Sequence, residues 1–153
     1  MGLIAQRLKD LGIVLPDPMP PIASYVNGVI ADGLLFVSGK GPLEADKTFR
    51  TGKVGGSVTT AEAYQHARLT GLHLLAAIQE QLGDLDRVDR FVRIFGLVNA
   101  VPDYTEHAKV INGCSDLLVE VFGERGRHSR AAIGMASLPM DTTVEIEAVV
   151  AVR

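Results

Sequence analysis

The sequence has no tryptophan, a single cysteine and few other aromatic residues. Three tyrosines and five phenylalanines are the whole aromatic set of its 153 residues, too few for the stacking platforms that bind single-stranded nucleic acids. The lone Cys114 cannot form an internal disulfide, and no cluster of cysteines and histidines surrounds it to bind structural zinc. This cysteine usage favours the reducing cytoplasm.

The sequence also lacks an excess of basic charge and any long apolar run. Fifteen lysines and arginines stand against 18 aspartates and glutamates, and the net charge of −3 disfavours binding to a polyphosphate backbone. No stretch of about 18 apolar residues occurs, and the charged N-terminus is unlike a signal peptide. We therefore expect a cytoplasmic protein without a membrane segment. Its length predicts one domain.

The N-terminal part predicts a helix, a connector and a hairpin. Apolar residues recur at helical spacing over residues 3–11, and Gly12 is a typical helix stop. Residues 15–21 (LPDPMPP) contain too many prolines for a helix or a central strand, so they form an extended connector. We assign residues 1–20 to the helix and connector and residues 21–153 to the domain, which opens with strands over residues 25–30 and 34–38.

Two core helices are predicted further along the chain. Thr59 and Glu62 form a capping box ahead of a helix that ends near Gly83. Asp103 and Glu106 give a similar pattern before a helix that ends at Gly123.

The strands predict an α+β sheet. A strand over residues 91–98 separates the helices, and a closing strand pair covers residues 130–137 and 143–152. This order predicts a sheet with both helices on one face. Subunit association is the simplest cover for the other face.

Arg130 and Glu145 are the first candidate functional pair. They lie in the two closing strands, and a tight hairpin between these strands would bring the cation and the carboxylate together. A cross-strand ion pair and a site for an anionic ligand are both compatible with this pattern. A planar guanidinium suits a small carboxylate.

The other reactive side chains favour structural roles. The four histidines, at positions 66, 73, 107 and 128, form no close ligand pair, so we predict no metal site and assign them surface, packing or interface roles. Cys114 lies in the second core helix and lacks a neighbouring base, so we interpret it as a small buried hydrophobe. The glycine-rich segments 38–41 and 52–56 do not match a phosphate-binding loop and are interpreted as turns.

Several segments together resemble the reactive-intermediate deaminase family (RidA/YjgF), once called L-PSP endoribonucleases. The most specific is residues 129–133 (SRAAI), followed by Leu138-Pro139 and by residues 144–148 (VEIEA), similar to the closing signature of the family. Residues 25–28 (YVNG), residues 37–39 (VSG) with Pro42, and residues 110–112 (VIN) also match. The resemblance covers about residues 21–153.

The resemblance implies a chorismate-mutase-like fold, a homotrimer and ligand pockets between subunits. It implies hydrolysis of an enamine or imine, such as 2-aminoacrylate and its imino tautomer, to a 2-keto acid and ammonia without metal or cofactor. Arg130 would bind the substrate carboxylate, the Ala132 amide would orient it, and Glu145 would position or activate water. The remaining matching pocket positions are Tyr25, Ser38, Gly39 and Asn112.

Three positions depart from the family pattern, and two other functions stay open. Ala132 replaces a frequent Cys, Lys40 a frequent Gln and His73 a frequent Asn. A non-catalytic binder of small carboxylates would use the same cleft. An endoribonuclease, suggested by the old family name, is disfavoured by the net charge of −3.

Overall fold

The computed structural model describes residues 2–153 as three α-helices and five β-strands. The helices are α1 (Leu3–Asp10), α2 (Thr60–Leu82) and α3 (His107–Phe122), and the strands are β1 (Gly28–Ala31), β2 (Leu34–Lys40), β3 (Val88–Asn99), β4 (Ser129–Met135) and β5 (Val144–Val152). Single 3₁₀ turns cover Leu85–Arg87, Gly123–Gly126 and Pro139–Asp141. The α+β class and the order of the elements agree with the sequence prediction.

The strands form one sheet in the order β1-β2-β5-β3-β4. β1 and β2 make the predicted hairpin, and its turn residues Asp32 and Gly33 both have positive φ angles, of 48° and 75°. Two-residue turns of this kind match the right-handed twist of the strands, and glycine adopts a positive φ angle without a steric penalty. The hairpin places residues 25–28 at one edge of the sheet.

The predicted pairing of the two closing strands is wrong. β4 pairs with β3 in parallel and β5 pairs with β3 antiparallel, so β3 lies between the two strands that the sequence suggested as a hairpin. The Pro139–Asp141 turn carries the chain across β3 instead of folding it back on β4. The short connection between β4 and β5 is therefore a crossover and not the hairpin turn that the sequence predicts.

The helix caps agree with the sequence in one helix and differ in the other. Thr59 and Glu62 form the predicted capping box of α2, and Gly83 ends this helix with a φ angle of 76°. No side chain caps α3, because the Glu106 carboxylate accepts hydrogen bonds from Lys109 and Thr60. The expected capping box at Asp103 and Glu106 is therefore absent.

Both core helices cover the same face of the sheet, as predicted. At the crossing of α2 and α3, a Cβ atom at Gly113 would overlap the backbone carbonyl of Tyr64, so only glycine permits this approach. Leu35, Phe91 and Ile146 point from the strands into the core beneath the helices. The opposite face exposes apolar side chains that include Val29 and Phe36.

The N-terminal helix packs onto the domain. Ile4 and Leu8 are buried in the core, and the backbone amides of Leu3 and Ile4 donate to the Asp86 carboxylate at 2.6 and 2.8 Å. A carboxylate at a helix N-terminus satisfies otherwise unpaired amides. Because α1 is packed against the domain, the start of the connector that follows it is held in place. Among the helices of residues 2–153, none has the length and apolarity needed to cross a membrane.

Candidate functional site

Arg130 lies at the start of β4 and turns towards α3. Its Nη1 donates to Asn112 Oδ1 at 2.8 Å and to Ser115 Oγ at 3.1 Å. Asn112 and Ser115 are three residues apart, so they lie on one face of the helix. Ala132 follows Arg130 by two residues and shares its side of the strand. The predicted residues Arg130, Asn112 and Ala132 are thus brought together.

Ser115 also connects Arg130 to a half-buried histidine. One nitrogen of His128, Nδ1, lies 2.6 Å from the Gly126 carbonyl, which can only accept, so Nδ1 carries the hydrogen. Nε2 then accepts from the Ser115 hydroxyl at 2.9 Å. Burial, with a smaller contribution from the Arg130 charge, lowers the pKa of His128 and favours this neutral ring. The contact fixes the serine oxygen as an acceptor for Arg130, which stays exposed to solvent.

Glu145 lies in a second cluster, on the opposite face of the sheet. It borders a cavity of about 640 Å³ together with Tyr25, Ser38 and Gly39. Burial, and to a lesser degree the Glu147 charge, raises the pKa of Glu145. A carboxylate with a raised pKa is a stronger base than an exposed one.

A bulge in β2 shapes this second cluster. Val37 pairs with Ala148 and Lys40 with Ile146, so β2 holds one residue more than β5 between these pairs. The bulge contains Ser38 and Gly39, and a Cβ atom at position 39 would collide with the Glu145 side chain. Gly39 therefore provides the space that Glu145 occupies.

The two clusters do not meet within one chain. Arg130 is opposite Ile94 and Glu145 is opposite Leu97 on β3. Two strand spacings and three residues along β3 correspond to roughly 14 Å between their Cα atoms. Because the side chains also point to opposite faces, the expected Arg130–Glu145 contact is absent. One small molecule cannot touch both groups of the same chain.

The remaining reactive side chains have no role in these clusters. Burial raises the pKa of the Cys114 thiol to about 12, as expected for a small core residue. No group of three or more possible metal ligands occurs in residues 2–153. His66 packs beside the Thr143 hydroxyl, its Nδ1 being 3.0 Å from Oγ1.

Another cavity contains neither candidate group. It has a volume of about 550 Å³ and lies near the start of α3, between Lys53, His107 and Gly134. The Lys53 ammonium group donates to Asn99 Oδ1 at 2.6 Å and to the Ala136 carbonyl. These contacts link the loop between β2 and α2 to the end of β3.

No sequence motif marks Ser115, His128 or the connector as neighbours of the candidate residues. The helical spacing of Asn112 and Ser115 is the signal that could have added Ser115. Met19 of the connector and Ile22 directly after it line the Glu145 cavity, but a proline-rich run carries no sign of what it will contact. Lys40 and His73, which depart from the family pattern, are both buried.

The chain is similar to proteins of one family along nearly its whole length. Residues 5–150 match the family model described as "YjgF/chorismate_mutase-like, putative endoribonuclease". Protein TCP17 of Trypanosoma cruzi is 43% identical over 150 residues, which are 97% of this chain and 94% of that protein. The crystal structure of Atu1372 from Agrobacterium tumefaciens is 44% identical, with a TM-score of 0.90 over 99% of this chain and 94% of that one.

A more distant structure shares the fold. Escherichia coli TdcF, crystallised with bound serine, is 22% identical, with a TM-score of 0.61 over 92% of this chain and 98% of that one. This likeness concerns the fold alone. The match of residues 5–150 and the 43% identity to TCP17 concern the sequence itself. The chain belongs to the YjgF/chorismate mutase-like family.

Proposed function

We propose that the protein hydrolyses reactive enamines and imines, such as 2-aminoacrylate and 2-iminopropionate, to a 2-keto acid and ammonia. The observation that carries the proposal is the division of the predicted site into two incomplete halves. Arg130, Asn112 and Ala132 form a carboxylate-binding half, and Tyr25, Ser38, Gly39 and Glu145 form a half with a basic carboxylate. A site shared between two copies of the chain would join them.

The outer face of the sheet supports association of copies. Val29, Phe36 and Ile133 are large apolar residues that this face leaves about half exposed. Apolar patches of this kind mark subunit interfaces. A closed trimer, as in the family resemblance, would place the Arg130 half of each copy against the Glu145 half of its neighbour.

The chemistry needs few groups beyond these. Arg130 binds the carboxylate of the 2-imino acid, and the Ala132 amide orients it. Glu145 takes a proton from water as the water oxygen attacks the imine carbon, and this proton passes from Glu145 to the imine nitrogen, which gives a carbinolamine. Glu145 then takes the proton of the carbinolamine hydroxyl as the C–N bond breaks and returns it to the nitrogen, so that ammonia leaves, the keto acid forms and Glu145 is again a carboxylate. An imine carbon is already electrophilic, and a placed water and a general base provide the required acceleration.

Related proteins support a small polar ligand. TdcF has been crystallised with serine, an amino acid whose carboxylate is of the kind that Arg130 would bind. The guanidinium of Arg130 keeps donors that Asn112 and Ser115 do not use, and a bidentate carboxylate contact needs two of them.

Turnover of 2-aminoacrylate tests the proposal directly. A dehydratase releases this enamine from serine, and added protein should accelerate formation of the keto acid. Arg130→Ala should lower kcat/KM roughly 10- to 100-fold, since hydrogen bonds to charged groups contribute about 1.5–3 kcal/mol. Equal rates for wild type and Arg130→Ala would reject the proposal.

Mixing of subunits tests the shared site. Arg130→Ala and Glu145→Gln would each be strongly impaired alone, but mixed trimers would join an intact Arg130 to an intact Glu145 of the neighbour. At equal amounts, about a quarter of the sites would recover, because each junction draws its halves from different chains. Failure to recover activity in verified mixed trimers would show that the site is not shared.

Two other outcomes would redirect the assignment. Saturable binding of a keto acid without any turnover would indicate a binder of small carboxylates. RNA cleavage that Arg130→Ala abolishes would indicate the endoribonuclease activity in the family description. The net charge of −3 gives little attraction for RNA.

A further inference from the structure

The cavity near the start of α3 contains two basic side chains, Lys53 and His107, that the proposed reaction does not use. No aspartate or glutamate belongs to its lining. Among residues 2–153, the Lys53 ammonium group is also absent from the salt bridges, which involve other lysines and arginines. A positive charge in such a lining attracts an anionic group.

The loop between β2 and α2 fixes the position of Lys53. The Lys53 carbonyl accepts from the Val58 amide at 3.0 Å, and the amide of Val54 donates to the Asn99 carbonyl at 2.8 Å. The side chain of Lys53 then reaches Asn99 Oδ1 and the Ala136 carbonyl, two acceptors that carry no charge. An ammonium group has three donors, so one of them is left for a ligand.

His107, the first residue of α3, has a ring that is free to bind. Of the four histidines, it is the only one whose ring makes no hydrogen bond within residues 2–153. The ring packs nearly perpendicular to that of Tyr104, with the centroids 5.2 Å apart. Its Nε2 lies directly over Gly134, because a Cβ atom at that position would collide with it. Gly134 therefore leaves the space that the imidazole occupies.

His107 and the Arg130 cluster lie on the same side of β4, which is the side that α3 covers. Gly134 follows Ala132 by two residues and Arg130 by four, so these three residues share this side of the strand. The guanidinium also reaches the start of α3, where Nη2 of Arg130 lies 3.5 Å from the Ala108 carbonyl oxygen. The apolar face proposed for subunit contact is the opposite one. A single chain therefore brings the cavity and the carboxylate-binding half side by side.

The spacing between Ala132 and Gly134 favours one length of ligand. Along a parallel strand, residues two apart are separated by about 6.6 Å. In an extended five-carbon dicarboxylate, four carbon–carbon bonds of about 1.5 Å hold the two carboxylate carbons about 5 Å apart. A carboxylate bound at Arg130 would therefore put the second carboxylate beside His107 and Lys53.

We propose that Lys53 and His107 bind a second carboxylate of the substrate, so that the protein prefers five-carbon 2-imino dicarboxylates. The inference rests on the proposed function and specifies its substrate class. An equally long 2-imino acid without the second carboxylate should be hydrolysed with a kcat/KM at least tenfold lower. Tenfold corresponds to about 1.4 kcal/mol, which one hydrogen bond to a charged group can provide.

The test compares two imines of equal chain length. D-Aspartate oxidase forms the imine of D-glutamate, and D-amino-acid oxidase forms that of D-norvaline, which has a methyl group in place of the second carboxylate. Semicarbazide competes with the protein for either imine. Wild type should show a kcat/KM ratio of at least ten in favour of the glutamate-derived imine. A ratio near one or lower would overturn the inference and leave the proposed function intact.

Variants test the two residues separately. Lys53→Met and His107→Phe remove the polar groups and keep most of the side-chain volume. Each should lower the ratio at least threefold through the KM of the dicarboxylate. Lys53→Arg and His107→Gln should restore part of the ratio, because each keeps a hydrogen-bond donor.

The matched control is Lys109→Met. Lys109 is an exposed lysine of α3 that pairs with Glu106 and does not line the cavity. This substitution removes the same charge as Lys53→Met, and the ratio should stay that of wild type. Equal effects of the two substitutions would attribute the preference to net charge and reject the second carboxylate site.

Calorimetry separates binding from turnover. The probes are 2-oxoglutarate and 2-oxopentanoate, the keto acids that correspond to the two imines. Wild type should bind 2-oxoglutarate at least tenfold more tightly, and Lys53→Met should remove most of this difference. Equal affinities of wild type would overturn the inference. Selective binding without turnover of either imine would reject only the proposed function, and absence of both binding and turnover would reject both proposals.

Discussion

Arg130 and Glu145 lie on strands of the same sheet, yet their surroundings differ. Arg130 is exposed, and side chains of α3 hold its guanidinium. Glu145 is half-buried beside a cavity whose walls come from a connector, a loop and a turn. The Arg130 cluster provides a positive charge in a fixed position, and the Glu145 cluster provides a cavity and a carboxylate that can act as a base. In the proposed reaction, binding of the substrate carboxylate and activation of water are therefore tasks of two separate surfaces.

The largest expected effect follows from replacing Glu145, the proposed base. Glu145→Gln should lower kcat by roughly 100- to 10,000-fold, the usual contribution of general acid–base catalysis, with a small change in KM. In wild type, the rate should fall as the pH drops through the raised pKa of Glu145, and so at a higher pH than for an ordinary glutamate. Steady-state kinetics between pH 4 and pH 9 would check both.

The control for this experiment is Glu147→Gln. Glu147 is the exposed neighbour on β5, and its charge contributes to the raised pKa of Glu145. This substitution should keep kcat near neutral pH and shift the acid limb of the rate profile to lower pH. A fall in kcat as large as that of Glu145→Gln would contradict the assignment of Glu145 as the base.

A smaller effect is expected from replacing the side chains of α3 that hold Arg130 in position. Asn112→Ala removes one acceptor from the guanidinium, and a lost hydrogen bond of about 1 kcal/mol corresponds to a roughly fivefold rise in KM. Ser115→Ala should act similarly, because Ser115 Oγ is the other side-chain acceptor. Steady-state kinetics on 2-aminoacrylate would measure both. An unchanged KM in the double variant would show that Arg130 needs no support from α3.

The smallest effect concerns stability in acid. The folded state lowers the pKa of His73, so the unfolded chain binds more protons near and below the ordinary histidine pKa of about 6.5. The free energy of unfolding should therefore decrease as the pH falls below this value, by at most about 1.4 kcal/mol per pH unit for one histidine. Urea denaturation at several pH values should show a shallower dependence for His73→Asn, and parallel curves would contradict this.

Short sequence patterns predicted the elements whose structure depends on interactions between residues close together in the chain. The Thr59–Glu62 box lies at the observed start of α2, because a capping box joins groups only three residues apart. The Asp32-Gly33 turn determines its hairpin for the same reason. At α3 the same reasoning failed, since Glu106 bonds to Thr60, a residue 46 positions away in the chain.

Short sequence patterns could not predict the pairing of the strands or the division of the candidate site into two clusters. The side chains of β5 alternate as the sequence indicated, with Val144 and Ile146 buried and Glu145 outside. The sequence did not reveal that β3 separates β4 from β5, because a turn has nearly the same residues whether it closes a hairpin or crosses a neighbouring strand. The direct Arg130–Glu145 contact was wrong for this reason.

The amino-acid sequence by itself determined which residues are candidates for the proposed chemistry and which elements contain them, since both depend on residue type and short spacing. Only the tertiary structure decided that the guanidinium and the carboxylate face opposite sides of the sheet. It also decided that a lysine and a histidine are buried where they tie down the connector and the loop. Such contacts join residues 13 to 30 positions apart in the chain, and they form only when the packed sheet and helices bring these segments together.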